Sequence, residues 1–221
     1  MKKYLMKKKN KIEYYLHDSI IIFLKDNFKN NNININNFIE HIENKIPKHL
    51  FTNVDYIYIG EHPDFNERKI NAFYRDSAIY TTNDQDNLDD LTDDIVHELA
   101  HSLEEVYGRH IYADGEIEKE FLNKREKLYK NVKAIDKSAS IKSFYQTEYS
   151  WEFDKYLMTK IGYQNLYRLA HDIFVNPYAA TSLREYYAVG FETFYLGNKK
   201  YLKQVSPRLY EKIFELNEKN I

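Results

Sequence analysis

Apolar positions recur along the chain with two different periods, and the changes between them mark out the elements. Between residues 11 and 28 they fall at Ile12, Tyr15, Leu16, Ile20, Phe23 and Leu24, a spacing that predicts an amphipathic helix on the main core. The asparagine-rich run 30–37 reads as a solvated loop, and a second helix is expected over 37–46, stopping before Pro47. The period then shortens. VDYIYIG (54–60) alternates and is rich in β-branched and aromatic residues, which predicts a strand. A hairpin follows, with strands at 72–74 and 78–81 and Arg75, Asp76 and Ser77 at its turn.

The acidic run DQDNLDDLTDD leads into a helix over 91–107, where acidic groups suit the helix macrodipole and need no metal to explain them. Leu91, Ile95, Leu99 and Leu103 form its stripe, flanked by Val96 and Val106, and Gly108 is the expected stop. Further helices are predicted over 114–135, 151–161, 165–174, 183–196 and 207–217. Gly162 separates the second and third helices of that set, and Pro207 sits in the first turn of the last. The outline is α+β: a mostly helical single domain over 1–221, with a small sheet or hairpin ahead of the 91–107 helix. No internal repeat is visible.

Composition narrows the class. With 21 tyrosines, 13 phenylalanines and a net charge of −2, the chain has ample core material and lacks the signature of disorder. The balance of 32 basic and 34 acidic side chains gives no basic stripe, so no nucleic-acid partner is expected. The absence of cysteine excludes disulfide scaffolds, thiolate metal sites and cysteine nucleophiles. The lysine-rich start is followed only by a short apolar run, Ile20 to Leu24, bounded by Asp18 and Lys25. That is unlike a signal peptide, and no window resembles a membrane span, so a cytoplasmic protein without membrane association is expected.

One segment carries chemistry. VHELAH places His97 and His101 four apart on the 91–107 helix, so both imidazoles lie on one face and can reach a single metal ion. Glu98 stands beside the first histidine, as the general base does in the HExxH arrangement of zinc hydrolases. Chance placement of 8 histidines and 19 glutamates would yield roughly 0.02 such patterns in this chain. The competing reading is two partly exposed histidines on an acidic helix.

A catalytic zinc needs a third protein ligand and keeps its fourth position open. His110 follows Gly108 and the HxxGxxH continuation is missing, while Glu104 shares the helix and cannot easily close a tetrahedron. The ligand is therefore expected from another helix. The 183–196 segment carries Glu185 and Glu192 among Tyr186, Tyr187, Val189, Phe191 and Phe194, where a carboxylate needs a partner. Glu185 could instead serve only the N-terminus of its helix.

VHELAHSLE together with YAATSLREYYAVGFETFYLGNKKYLKQVSPRLYEKIFELN resembles the gluzincins grouped with the Mlc titration factor peptidases and the anthrax lethal factor catalytic domain. The resemblance covers roughly 54–108 and 176–217. It implies a zincin-like fold with one Zn²⁺ held by His97, His101 and Glu185, Glu98 as base, and Tyr178 as a transition-state hydrogen-bond donor. It also implies a peptide or protein substrate. The gap of 84 positions from His101 to Glu185 is longer than in the lethal factor catalytic domain, and the helical stretch of about 109–174 stands as an insertion, like the N-terminal helices of about 11–46. Carboxylates are expected to orient the imidazoles, with Asp93, Asp94, Glu105 and Glu192 as the alternatives the sequence leaves open, and His171 is the remaining histidine nearest the second motif. Two further readings stay open: a non-catalytic zinc-containing protein-binding module, and a dedicated regulatory peptidase of the repressor-cleaving ImmA type.

Overall fold

The computed structural model describes residues 12–218 and is α+β, 61% helical with a five-stranded mixed sheet. The chain divides after Ser102 into two compact units. The first holds the sheet, strand order β1-β2-β3-β5-β4, formed by β1 (Ile12–Leu16), β2 (Ile20–Leu24), β3 (Tyr56–Ile59), β4 (Ala72–Arg75) and β5 (Ala78–Thr81). β2 and β3 pair in parallel, as do β3 and β5, while β1 and β4 close the two edges antiparallel to their neighbours.

The N-terminal helix expected over 11–28 is corrected to the β1–β2 hairpin; Lys11 lies outside the described residues. A short window of apolar residues fits either period, and here two things favour strands. His17 and Asp18 both take left-handed backbone angles (φ 50° and 59°), which ends any helix at the turn. The β-branched triplet Ile20-Ile21-Ile22 then enters a strand paired on both sides, with Ile20 and Ile22 buried and Tyr15, counted in the helical stripe, left exposed. The hairpin expected over 72–81 is present, but Arg75, expected in the turn, is the last residue of β4. Arg75 pairs with Ala78 across a two-residue turn in which Asp76 and Ser77 are both left-handed (φ 53° and 58°).

Helix α1 (Ile35–Lys45) buries Ile35, Phe38 and Ile42. The asparagine run does more than loop: the Asn34 side chain accepts from the N–H groups of Asn36 and Asn37 and so caps α1. A short helix, α2 (Pro63–Arg68), was not legible as such.

Helix α3 (Leu88–Tyr112) starts at Asn87, whose side chain accepts the Asp90 N–H, and runs unbroken through the division between the units. Gly108 does not stop it. A Cβ there would touch nothing, so this glycine meets no steric demand, and the left-handed residue is Gly115 (φ 72°), ahead of α4 (Glu116–Ile135).

The second unit is helical. The predicted 151–161 helix divides into α6 (Trp151–Lys155) and a π-helical stretch Tyr156–Gly162, and α7 (Tyr163–Ala170) ends four residues earlier than the predicted 174. Between α4 and α6 lies a one-turn α5 (Ile141–Phe144). Helix α8 (Leu183–Leu196) follows a 3₁₀ turn, Pro177–Ala180, and packs against α4, α9 (Lys199–Val205) and α10 (Pro207–Asn217). Tyr186 to Phe191 are all buried, the mark of a helix surrounded on most sides. Gly190 permits the closest approach: a Cβ there would stand 2.3 Å from Leu209 Cδ2. Among the described residues no helix is long and apolar enough to cross a membrane.

Candidate metal centre

Four-residue spacing on α3 sets the His97 and His101 rings on one face, centroids 5.0 Å apart and planes at 77°. Glu185, in the first turn of α8, joins them. One ligand atom from each of His97, His101 and Glu185 lies within 4.8 Å of the other two, and all three residues are half-buried. This is the one group of metal-capable side chains of its kind among the described residues. The donor set, two imidazoles and a carboxylate, is one that catalytic zinc takes.

Local structure explains why Glu185 points where it does. Ser182 caps α8, its side-chain oxygen accepting the Glu185 N–H at 3.1 Å, which fixes the backbone of the helix entry. Next to it, Arg184 donates from Nε to Glu104 Oε2 at 3.0 Å, and its Nη2 forms an ion pair with the same oxygen at 3.0 Å. Glu104 also accepts from the Tyr112 hydroxyl. Glu104 therefore is not a ligand but a tether: it holds the start of α8 to α3 one turn beyond His101. A charge-assisted contact of guanidinium on carboxylate is stronger than a neutral hydrogen bond.

Glu98 is held from the other side. Its Oε2 accepts the backbone N–H of Tyr74, on the edge strand β4, at 2.8 Å. That donor holds the side chain in one rotamer. Asp94 is one of the four carboxylates that could orient the imidazoles. Burial pushes its carboxyl up to about 6, with the Gln85 side chain and the charge of His97 opposing and the charge of Glu98 adding to the rise. Gln85, itself buried, donates to Asp94 Oδ2 at 2.8 Å. Asp93 and Glu192 are half-buried and Glu105 is exposed. His171 is exposed and paired with Asp172 at 3.0 Å, outside the metal-capable group.

Tyr178 sits on the Pro177–Ala180 turn that leads into α8, 43% exposed, with its N–H bonded to Asn176 Oδ1 at 2.8 Å. Residue-by-residue reading overlooked the 145–150 loop. Thr147 accepts the Leu183 N–H at 2.8 Å, which sets this loop beside the α8 entry. Tyr149 reports the same neighbourhood: burial, the hydrogen bond to Asp154 and the charges of Asp154 and Glu185 push its hydroxyl up to about 12. Neither Tyr74, which acts through its backbone, nor Thr147 carries a side-chain signal that could have been read.

Comparison with family models, with curated proteins and with solved structures returned no match.

Proposed function

We propose that the chain is a zinc-dependent metallopeptidase of the gluzincin type, hydrolysing peptide bonds of a peptide or protein substrate. The observation that supports this reading is the approach of His97, His101 and Glu185 to within 4.8 Å, from residues 84 positions apart. Three protein ligands with a fourth position left to water is how catalytic zinc is held. When bound, the ion supplies a Lewis acid that makes water nucleophilic near neutral pH and polarises a carbonyl.

The chain's own residues supply the proton path. Glu98, adjacent to His97 and steadied by the Tyr74 amide, accepts the proton of the attacking water and returns it to the leaving amine. Tyr178, on the turn before α8, donates to the oxygen that gains charge as the carbonyl becomes tetrahedral. Glu104, Arg184 and Ser182 keep the third ligand in register with the histidine pair.

The test pairs composition with activity. Purified protein should hold about one zinc by elemental analysis, lost in the His97→Ala/His101→Ala double variant, and should cleave members of a peptide library in a chelator-sensitive way. Zinc retained by the double variant refutes the ligand assignment. Zinc present with no cleavage of any peptide transfers the reading to a non-catalytic binding module.

A further inference from the structure

Among the described residues Arg125 is the largest fully buried side chain, and no carboxylate pairs with it. Its partners are four backbone carbonyls. Nε donates to Phe144 O at 3.2 Å and Nη2 to Ser143 O at 2.6 Å, both on α5. Nη1 donates to Ala180 O and, at 3.3 Å, to Thr181 O, at the junction between the 3₁₀ turn and α8. The guanidinium also lies over the Phe153 ring, 4.1 Å from its centroid.

A buried cation without a counter-charge is a costly way to fill a core, and an apolar residue of similar volume would serve packing as well or better. What a guanidinium adds is geometry: a rigid planar fork whose donors fix the distance and angle between two separate segments. The second of those segments is the one that matters for the site. Thr181 directly precedes the cap residue Ser182, Glu185 lies four positions beyond Thr181, and Tyr178 lies two positions before Ala180. Between them the backbone is held at successive points. The Thr181 N–H and hydroxyl both bond Tyr178 O, the Leu183 N–H bonds Thr147 O, and the Glu185 N–H bonds Ser182 Oγ.

We propose that Arg125 is a positioning residue for the metal centre: through the Ala180 and Thr181 carbonyls it sets the entry of α8, and with it the third ligand Glu185 and the turn bearing Tyr178. The proposal rests on the metal-centre reading. It gives the helical stretch 109–174 a task, since α4 supplies the guanidinium, α5 supplies two of its acceptors and α6 supplies the ring that covers it.

Arg125→Lys is the test, because lysine keeps the charge but gathers its donors at one point and cannot span both segments. Zinc affinity is measured by competition with a chromogenic chelator, alongside thermal melting. The expected result is a 10- to 100-fold weaker affinity in a protein that still melts cooperatively. Glu185→Gln should then weaken zinc less in the Arg125→Lys background than in the wild type, since both act on one ligand. A lowered melting temperature with wild-type zinc affinity overturns the proposal and leaves Arg125 structural. Should Arg125→Lys fail to fold, Phe153→Leu removes only the covering ring: a smaller loss of zinc affinity supports the proposal and an unchanged affinity overturns it. A wild-type protein that takes up no zinc overturns the metal centre itself, and this proposal with it.

Discussion

Replacing Glu98 by glutamine separates proton transfer from every other task of that side chain. The glutamine oxygen can still accept the Tyr74 N–H that Glu98 accepts at 2.8 Å, so the edge-strand contact survives in neutral form. A charged acceptor is worth about 1.5–3 kcal/mol and a neutral one about 0.5–1.5, so the exchange costs about 1 kcal/mol. Loss of the like charge that helps raise the Asp94 carboxyl offsets part of this. The melting temperature of metal-loaded Glu98→Gln should therefore stay within roughly 4 °C of wild type. Zinc content should be unchanged, because the imidazoles and Glu185 are untouched. Turnover should not survive. An amide cannot take up the proton of water, and a positioned base contributes about 100- to 10,000-fold. Steady-state cleavage of a chelator-sensitive peptide, with zinc measured on the same samples, reads all three quantities. Glu98→Ala provides the contrast, since it also removes the acceptor of the Tyr74 N–H, at a cost of about 1–3 kcal/mol. Its melting temperature should fall below that of Glu98→Gln while its turnover is equally low. A glutamine variant within tenfold of the wild-type rate would remove Glu98 as the base and with it the peptidase mechanism.

Tyr178→Phe removes a hydroxyl and little volume, so zinc content and melting should hold while kcat falls by about 100- to 1,000-fold with little change in KM; a kcat within a few-fold of wild type assigns Tyr178 to packing. Asp94 has a folded-state carboxyl raised to about 6, so its contribution is present below its unfolded value of 3.8 and is lost as the pH rises through about 6. Metal-free Asp94→Asn, which keeps an acceptor for Gln85, should gain about 2 kcal/mol more over wild type at pH 8 than at pH 4. Equal gains at the two pH values, by chemical denaturation, would show that the Asp94 carboxyl is not destabilised by burial.

Much of this protein was written locally. Helix α8 (Leu183–Leu196) matches the expected 183–196 because its cap, Ser182, and its apolar run lie within one segment. The 72–81 hairpin and the pairing of His97 with His101 follow from spacing alone, since a two-residue turn and a four-residue helical step need no distant partner. Tertiary structure settled what local spacing left open. Residues 12–24 carried a pattern readable in either period, and pairing of β2 with a strand on each side chose β. Spacing alone set Glu104 aside, because it shares the histidines' helix, but left both Glu185 and Glu192 as carboxylates in need of a partner. The fold committed Glu104 to Arg184 and brought Glu185 to the histidines, a choice that depends on where α8 enters. Two of the contacts at the centre of the argument, Tyr74 N–H on Glu98 and the four carbonyls on Arg125, use backbone atoms that every residue possesses. Side-chain chemistry can be read along a chain because it differs from residue to residue. Backbone donors and acceptors do not differ, so only the folded path decides which of them meet a functional group.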